Sequence, residues 1–169
     1  MKGWKKFGVI LSAAVIASSG ALTSVHADEL DDFRQLTDVS ALSFLDEAED
    51  TAYSLTRSSD LRSGNVHIGV VDKDTVAITG KTEAYHVCDI VDLYIYLERV
   101  SNGSTFASYK EYPYTAKNVS KLEKTFYVDV DSGYYYRLRG YHRTYKDGTK
   151  ESLSTDTNGV FVGVKPSGG

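Results

Sequence analysis

Between residues 88 and 100 apolar and polar side chains alternate: Val91, Leu93, Ile95 and Leu97 share one parity, and Asp92, Tyr94, Tyr96 and Glu98 the other. A period of two is the repeat of a strand with one buried face, and a helix cannot satisfy it. The same repeat recurs upstream in Val66, Ile68 and Val70, then in Val76, Ile78 and Gly80 beyond a turn at Asp72-Lys73-Asp74. Downstream it returns in Leu122, Lys124, Phe126, Val128 and Val130, and again from Tyr134 to Tyr145 with Tyr136, Leu138 and Gly140 inward. Ser101-Asn102-Gly103-Ser104, Asp131-Ser132-Gly133 and Asp147-Gly148 supply turns between strands. Thr105 to Lys117 reads as a more exposed strand, which Pro113 confines to a sheet edge. A seventh lies in Thr149 to Thr155, or continues past Asn158-Gly159 to Val164.

With no helical period among these segments, the expected fold is all-β: an antiparallel immunoglobulin- or fibronectin-like β-sandwich of about seven strands over residues 61–165, with 166–169 as a flexible tail. The missing βαβ alternation removes the usual nucleotide-binding architectures. Asp131-Ser132-Gly133 followed by Tyr134-Tyr135-Tyr136 fits a tyrosine corner. Tyr136 is the expected corner residue because its parity matches Leu138, whereas spacing from the turn favours Tyr135.

The amino end follows different rules. Lys2, Lys5 and Lys6 precede an apolar stretch of eleven residues from Phe7 to Ala17, and Val25-His26-Ala27 sets small residues around a cleavable bond. Residues 1–27 therefore read as a signal peptide cut after Ala27, because the apolar run is too short for a bilayer core of roughly 30 Å. Secretion with no stable membrane anchor in the processed chain is the expectation, with non-covalent retention at the cell wall as an alternative. Processing takes the formal charge from −4 to −7 and removes the single Trp, Trp4. An acidic chain without a concentrated Lys/Arg surface excludes nucleic acid as a partner.

Residues 28–60 hold ten acids against Arg34 and Arg57. Leu36, Val39, Leu42, Leu45 and Ala48 recur every third residue behind a potential N-cap at Asp38. Because a repeat of three drifts around a 3.6-residue helix, this segment reads as an acidic arm, flexible or partly helical over residues 38–54.

Cys88 is the sole cysteine, so no intramolecular disulfide or multi-thiolate zinc site exists. A buried free thiol is expected, with an interchain disulfide or a nucleophile as alternatives. His86, two positions before it, would share its face on a regular strand and offer an imidazole for a Cys-dependent enzyme. His67, His86 and His142 lack the paired spacing of a zinc site, and Asp129-x-Asp131-x-Gly133 lacks the rest of a calcium loop. No metal or cofactor is assigned.

The tyrosines carry the binding reading. Tyr94 and Tyr96 are expected on the solvent side of their strand, and Tyr109, Tyr112 and Tyr114 on the neighbouring edge strand. Together they would form a flat aromatic strip able to stack sugar rings or grip a protein; packing of the rings against one another within the sheet is the alternative.

The run Gly133-Tyr134-Tyr135-Tyr136-Arg137-Leu138-Arg139-Gly140-Tyr141-His142, with Tyr94-Ile95-Tyr96-Leu97-Glu98-Arg99 upstream and Glu151-Ser152 downstream, resembles uncharacterised small secreted all-β proteins of Gram-positive bacteria over roughly residues 61–164. The resemblance implies export from a Gram-positive cell and a compact β domain, and it carries no reaction. A non-catalytic binding or interaction module of the cell surface or medium is the resulting expectation. Its partner would be an extracellular protein or a cell-wall glycan. A Cys/His-dependent secreted enzyme and a structural or assembly protein are the alternatives.

Overall fold

The alternating segments around Val76 and Leu93 belong to one strand. The computed structural model describes residues 42–55, 60–101 and 105–165. Eight strands occur there: β1 (Leu42–Ser43), β2 (Glu47–Tyr53), β3 (Leu61–Asp72), β4 (Thr75–Val100), β5 (Ala107–Asp129), β6 (Tyr134–Lys146), β7 (Thr149–Asp156) and β8 (Gly159–Val162). All join a single sheet in the order β1-β8-β6-β4-β3-β2, with β5 beside β4 and β7 beside β6. The pairings are antiparallel except for β1 with β8. No helix occurs among the described residues.

A sheet this long closes its own core by bending. Before the bend β4 buries Val76, Ile78 and Thr82; after it, β4 buries Val91, Leu93, Ile95 and Leu97. Buried parity changes from even to odd across Tyr85, His86 and Val87, three consecutive exposed residues. That change lets both halves of the strand aim apolar side chains at each other. A Cβ on Gly80 would lie 2.5 Å from Ile95 Cδ1, so the first half of β4 packs directly on the second. β5 turns the same corner, with a register break between the pairs Glu83↔Lys121 and Cys88↔Val119 and with Asn118 at φ 55°.

The fold therefore differs from the expected immunoglobulin-like sandwich. An immunoglobulin core lies between two separate sheets, whereas here one sheet curls over itself because β4 and β5 run through both halves. The edge expected from Pro113 is present, since β5 pairs with β4 alone among the described strands. Both candidate positions for a final strand are used, by β7 and by β8.

The acidic segment also needs correction. β1 and β2 lie inside residues 28–60, so the sheet begins well before residue 61, and Glu47–Tyr53 is strand where partial helix was expected. Its acids serve the sheet. Glu49 and Thr51 side chains accept from Asn65 Nδ2 at 2.6 and 2.8 Å, and Asp50 Oδ2 accepts from the Asp156 backbone N–H at 2.8 Å. Polar strand ends of this kind carry no apolar alternation to read.

Where the halves meet, glycines make room for a histidine. A Cβ on Gly64 of β3 would lie 2.2 Å from the His142 ring, and one on Gly140 of β6 would lie 2.6 Å from His142 Nε2 and 2.7 Å from Val66 Cγ1. His142 is wholly buried, with Nδ1 2.9 Å from Thr82 Oγ1 and Nε2 2.9 Å from Thr155 Oγ1. The Thr82 hydroxyl donates its one proton to the Asp92 carbonyl at 2.9 Å. His142 Nδ1–H must then donate to Thr82, and Nε2 accepts from Thr155. The imidazole is a neutral bolt between β4, β6 and β7.

At the β5–β6 turn the Tyr136 hydroxyl donates to the Asp131 carbonyl, five residues upstream, at 2.8 Å. Tyr136 is fully buried, and burial pushes its phenol up to about 12. The neighbouring Tyr135 instead pairs with Phe161 on the opposite face, with ring centroids 5.1 Å apart.

Candidate functional site

The expected strip of five tyrosines does not form. Directly opposed residues of an antiparallel pair share a face, and the β4–β5 register opposes Tyr112 to Ile95 and Tyr114 to Leu93. Tyr112 and Tyr114 thus point with the core residues and pack on Phe126, at centroid distances of 4.7 and 6.0 Å. Tyr109 sits at a register shift between Lys110 and Ser108 and packs edge-on against Tyr136 at 5.6 Å. Tyr94 and Tyr96 take the other face, opposite Pro113 and Glu111. Counting parity across the β4–β5 connection from sequence cannot supply that register, because one shifted residue exchanges the faces.

Nor is the Tyr94/Tyr96 side open to solvent. It carries a ladder of charges: Asp92 opposite Arg143, Tyr94 opposite Tyr141, Tyr96 opposite Arg139, and Glu98 opposite Arg137. Tyr96, Tyr141, Arg137, Arg139, Asp92 and Glu98 are all buried there. Arg137 Nε donates to Glu98 Oε2 at 2.8 Å and its Nη1 to Asp156 Oδ2 at 3.2 Å, while Arg139 Nη1 lies 3.5 Å from Glu98 Oε1. Arg137 also stacks on the Phe106 ring at 4.4 Å. Every carboxylate in this ladder has a guanidinium, an arrangement that holds the sheet together.

Cys88 and His86 do not form a catalytic pair. Cys88 is 1% exposed, and its Sγ points at the His86 backbone carbonyl, 3.5 Å away. The His86 ring turns outward, with Nδ1 3.4 Å from Asp60 Oδ1. Burial, then the Asp60 charge, pushes the thiol pKa up, opposite to what a thiolate nucleophile needs. Native protein treated with iodoacetamide near neutral pH should leave Cys88 unmodified over hours, with stoichiometric alkylation only in denaturant. Rapid native labelling in the mass spectrum would contradict the burial. Among the described residues no group of three or more His, Cys, Asp or Glu converges to hold a metal.

The open surface is on the other half of the sheet. There β5, β4, β3 and β2 lie side by side, and register sets their outward residues in rows. One row is Tyr127, Ala77, Gly69, Glu47; the next is Thr125, Thr79, His67, Glu49; on the other side lies Asp129, Thr75, Asp72. Tyr127, on the edge strand β5, is 70% exposed, the most exposed tyrosine among the described residues. Thr79 and Thr125 hydroxyls bond at 3.0 Å, and His67 Nε2 lies 3.3 Å from Glu47 Oε2. Tyr127 stands apart from the clustered tyrosines of the sequence, so clustering does not mark it. Its own signal was there, as the outward neighbour of Phe126 and Val128.

The chain matches a family of unknown function, DUF6147, over residues 39–160. It belongs to that family. The DUF6147 match takes in β1, β2 and the whole open face, so the strands of the acidic segment are part of the family's domain. A comparison with curated proteins finds no match.

Proposed function

We propose that this DUF6147 protein is a secreted, non-catalytic binding module that acts at the cell surface or in the medium. The observation that carries the reading is the open four-stranded face, where an exposed Tyr127 ring stands beside a floor of small residues and a rim of polar pairs. Flat sheet faces with a protruding aromatic are suited to recognition, since a tyrosine offers area and a hydroxyl at low entropic cost. The basic, apolar and small-residue pattern of residues 1–27 supports export, and the resemblance to exported Gram-positive proteins supports the same destination. An extracellular protein or a cell-wall glycan is the partner class.

Fractionation of the producing cell should find the protein outside the membrane, and purified protein lacking residues 1–27 should cosediment saturably with isolated cell wall. Protein confined to the cytoplasm would overturn the assignment to the surface or medium. Retention that rises linearly with concentration and never saturates would overturn specific binding to the wall.

A further inference from the structure

Eight glycines have described surroundings, and seven have a structural reason to be glycine. Gly133, Gly148 and Gly163 have positive φ values of 90°, 80° and 147°. At Gly64, Gly80, Gly140 and Gly159 an added Cβ would come within 2.2 to 2.8 Å of a packed side chain. Gly69 has neither reason. It lies in the interior of β3, paired on both sides, and a Cβ there would meet only His67 Cε1, at an ordinary 3.5 Å. A glycine inside a strand weakens it, and where packing does not require one the position suits close approach of another molecule.

The surroundings of Gly69 indicate what could approach. Ala77 and Gly69 form a floor between Tyr127 and Glu47, about 10 Å across two strand spacings from Tyr127 to Gly69. That span accommodates one pyranose lying flat with a face or edge against the phenol ring. Acids surround the floor: Glu47, 76% exposed, and Glu49 at one end, with Asp129 and Asp72 along one side. These three rows contain no lysine or arginine, and the Lys110 ammonium reaches the Asp129 backbone carbonyl at 2.7 Å, so the negative charge that complements a cation is concentrated at the Glu47–Glu49 end.

From these features we infer that Tyr127, Ala77, Gly69 and Glu47 form a subsite for an amino-bearing hexopyranose, one residue of a de-N-acetylated hexosamine polymer. The sugar ring covers Ala77 and Gly69 against Tyr127, and its ammonium meets the Glu47 side of the rim. This assignment rests on the binding-module reading and narrows it to one ligand chemistry.

The test is a heteronuclear NMR titration of the protein with glucosamine hexamer, its fully N-acetylated counterpart and hexalysine, repeated on Gly69→Val and Tyr127→Ala. A Cβ at Gly69 meets only His67 Cε1, at an ordinary 3.5 Å, and a β-branched residue favours strand, so the melting temperature of Gly69→Val should equal or exceed that of the parent. Expected are saturable shifts at Gly69, Ala77 and Tyr127 with glucosamine hexamer, and affinity about tenfold or more weaker in each variant. No saturable shifts with glucosamine hexamer would overturn the assignment, and so would equal affinity for the N-acetylated hexamer. Equal binding of hexalysine, unaffected by Gly69→Val, would show that the acids attract any cationic peptide and would overturn the sugar site. If isolated wall retains parent and Gly69→Val equally while the hexamer does not bind, the module still binds and only the amino-sugar assignment falls.

Discussion

Lowering the pH from about 7 to about 4.5 should cost this fold about 3 kcal/mol through His142 alone. Burial pushes the imidazole from 6.5 down to about 3, because the ring is wholly shielded from solvent between Thr82 and Thr155 and an imidazolium there would forfeit its hydration. The unfolded chain takes up a proton below about pH 6.5 that the folded chain excludes. Stability is therefore complete above that pH and falls with pH down to about 3. The upper part of this window lies above the ordinary range of carboxylates. Urea denaturation across pH 7 to 4.5 should show the slope, and His142→Gln should flatten it. If that variant does not fold, the His142 ring resonances of the parent serve instead: they should not titrate above about pH 4. A midpoint near 6 would refute the buried neutral bolt.

Truncating Asp92 should cost more, about 3–5 kcal/mol. Its side chain is 1% exposed and accepts from Arg143 Nε at 2.7 Å and from Thr115 Oγ1 at 2.6 Å, joining β4 to β6 on one side and to β5 on the other. In Asp92→Ala the guanidinium, only 12% exposed, loses its carboxylate and the Thr115 hydroxyl loses its acceptor. Removing one member of a buried pair is worse than never having built it, since the remaining charge keeps its desolvation cost. Asp92→Asn retains an oxygen for Thr115 and similar volume, so its loss should be smaller. Equilibrium urea curves order the three proteins, and an Asp92→Ala midpoint within error of the parent would place the pair in effective contact with solvent.

Strand content was legible wherever an apolar face repeats with period two. Val76 to Gly80, Val91 to Leu97 and Leu122 to Val128 all lie in strands, and Val76, Ile78, Val91, Leu93, Ile95, Leu97, Leu122 and Val128 are buried as the alternation indicates, whereas Lys124 is exposed. The joins were not legible. Tyr85-His86-Val87 interrupts the alternation and so reads as a connection, yet the backbone continues through it as strand with all three side chains exposed. β2 was hidden for the opposite reason: its acids are placed by hydrogen bonds to Asn65 and to the Asp156 backbone, contacts separated by up to 106 residues that no local pattern announces. The tyrosines failed as a strip because face membership on β5 depends on its register with β4, including the shift beside Tyr109.

By itself, then, the sequence determined the element type, the inward parity of the main strands, the edge position of the Pro113 strand and the turn before Tyr136. These follow from short-range sterics and from the pleat, which act over a few residues. Only the tertiary structure decided that one curled sheet replaces two, that Tyr94 and Tyr96 lie in a buried charge ladder, that His142 is held neutral between two threonines, and that Gly69 lies open beside Tyr127. Each of those depends on which distant strand faces which, a choice made by the summed burial of both halves of β4 rather than by any local run of residues.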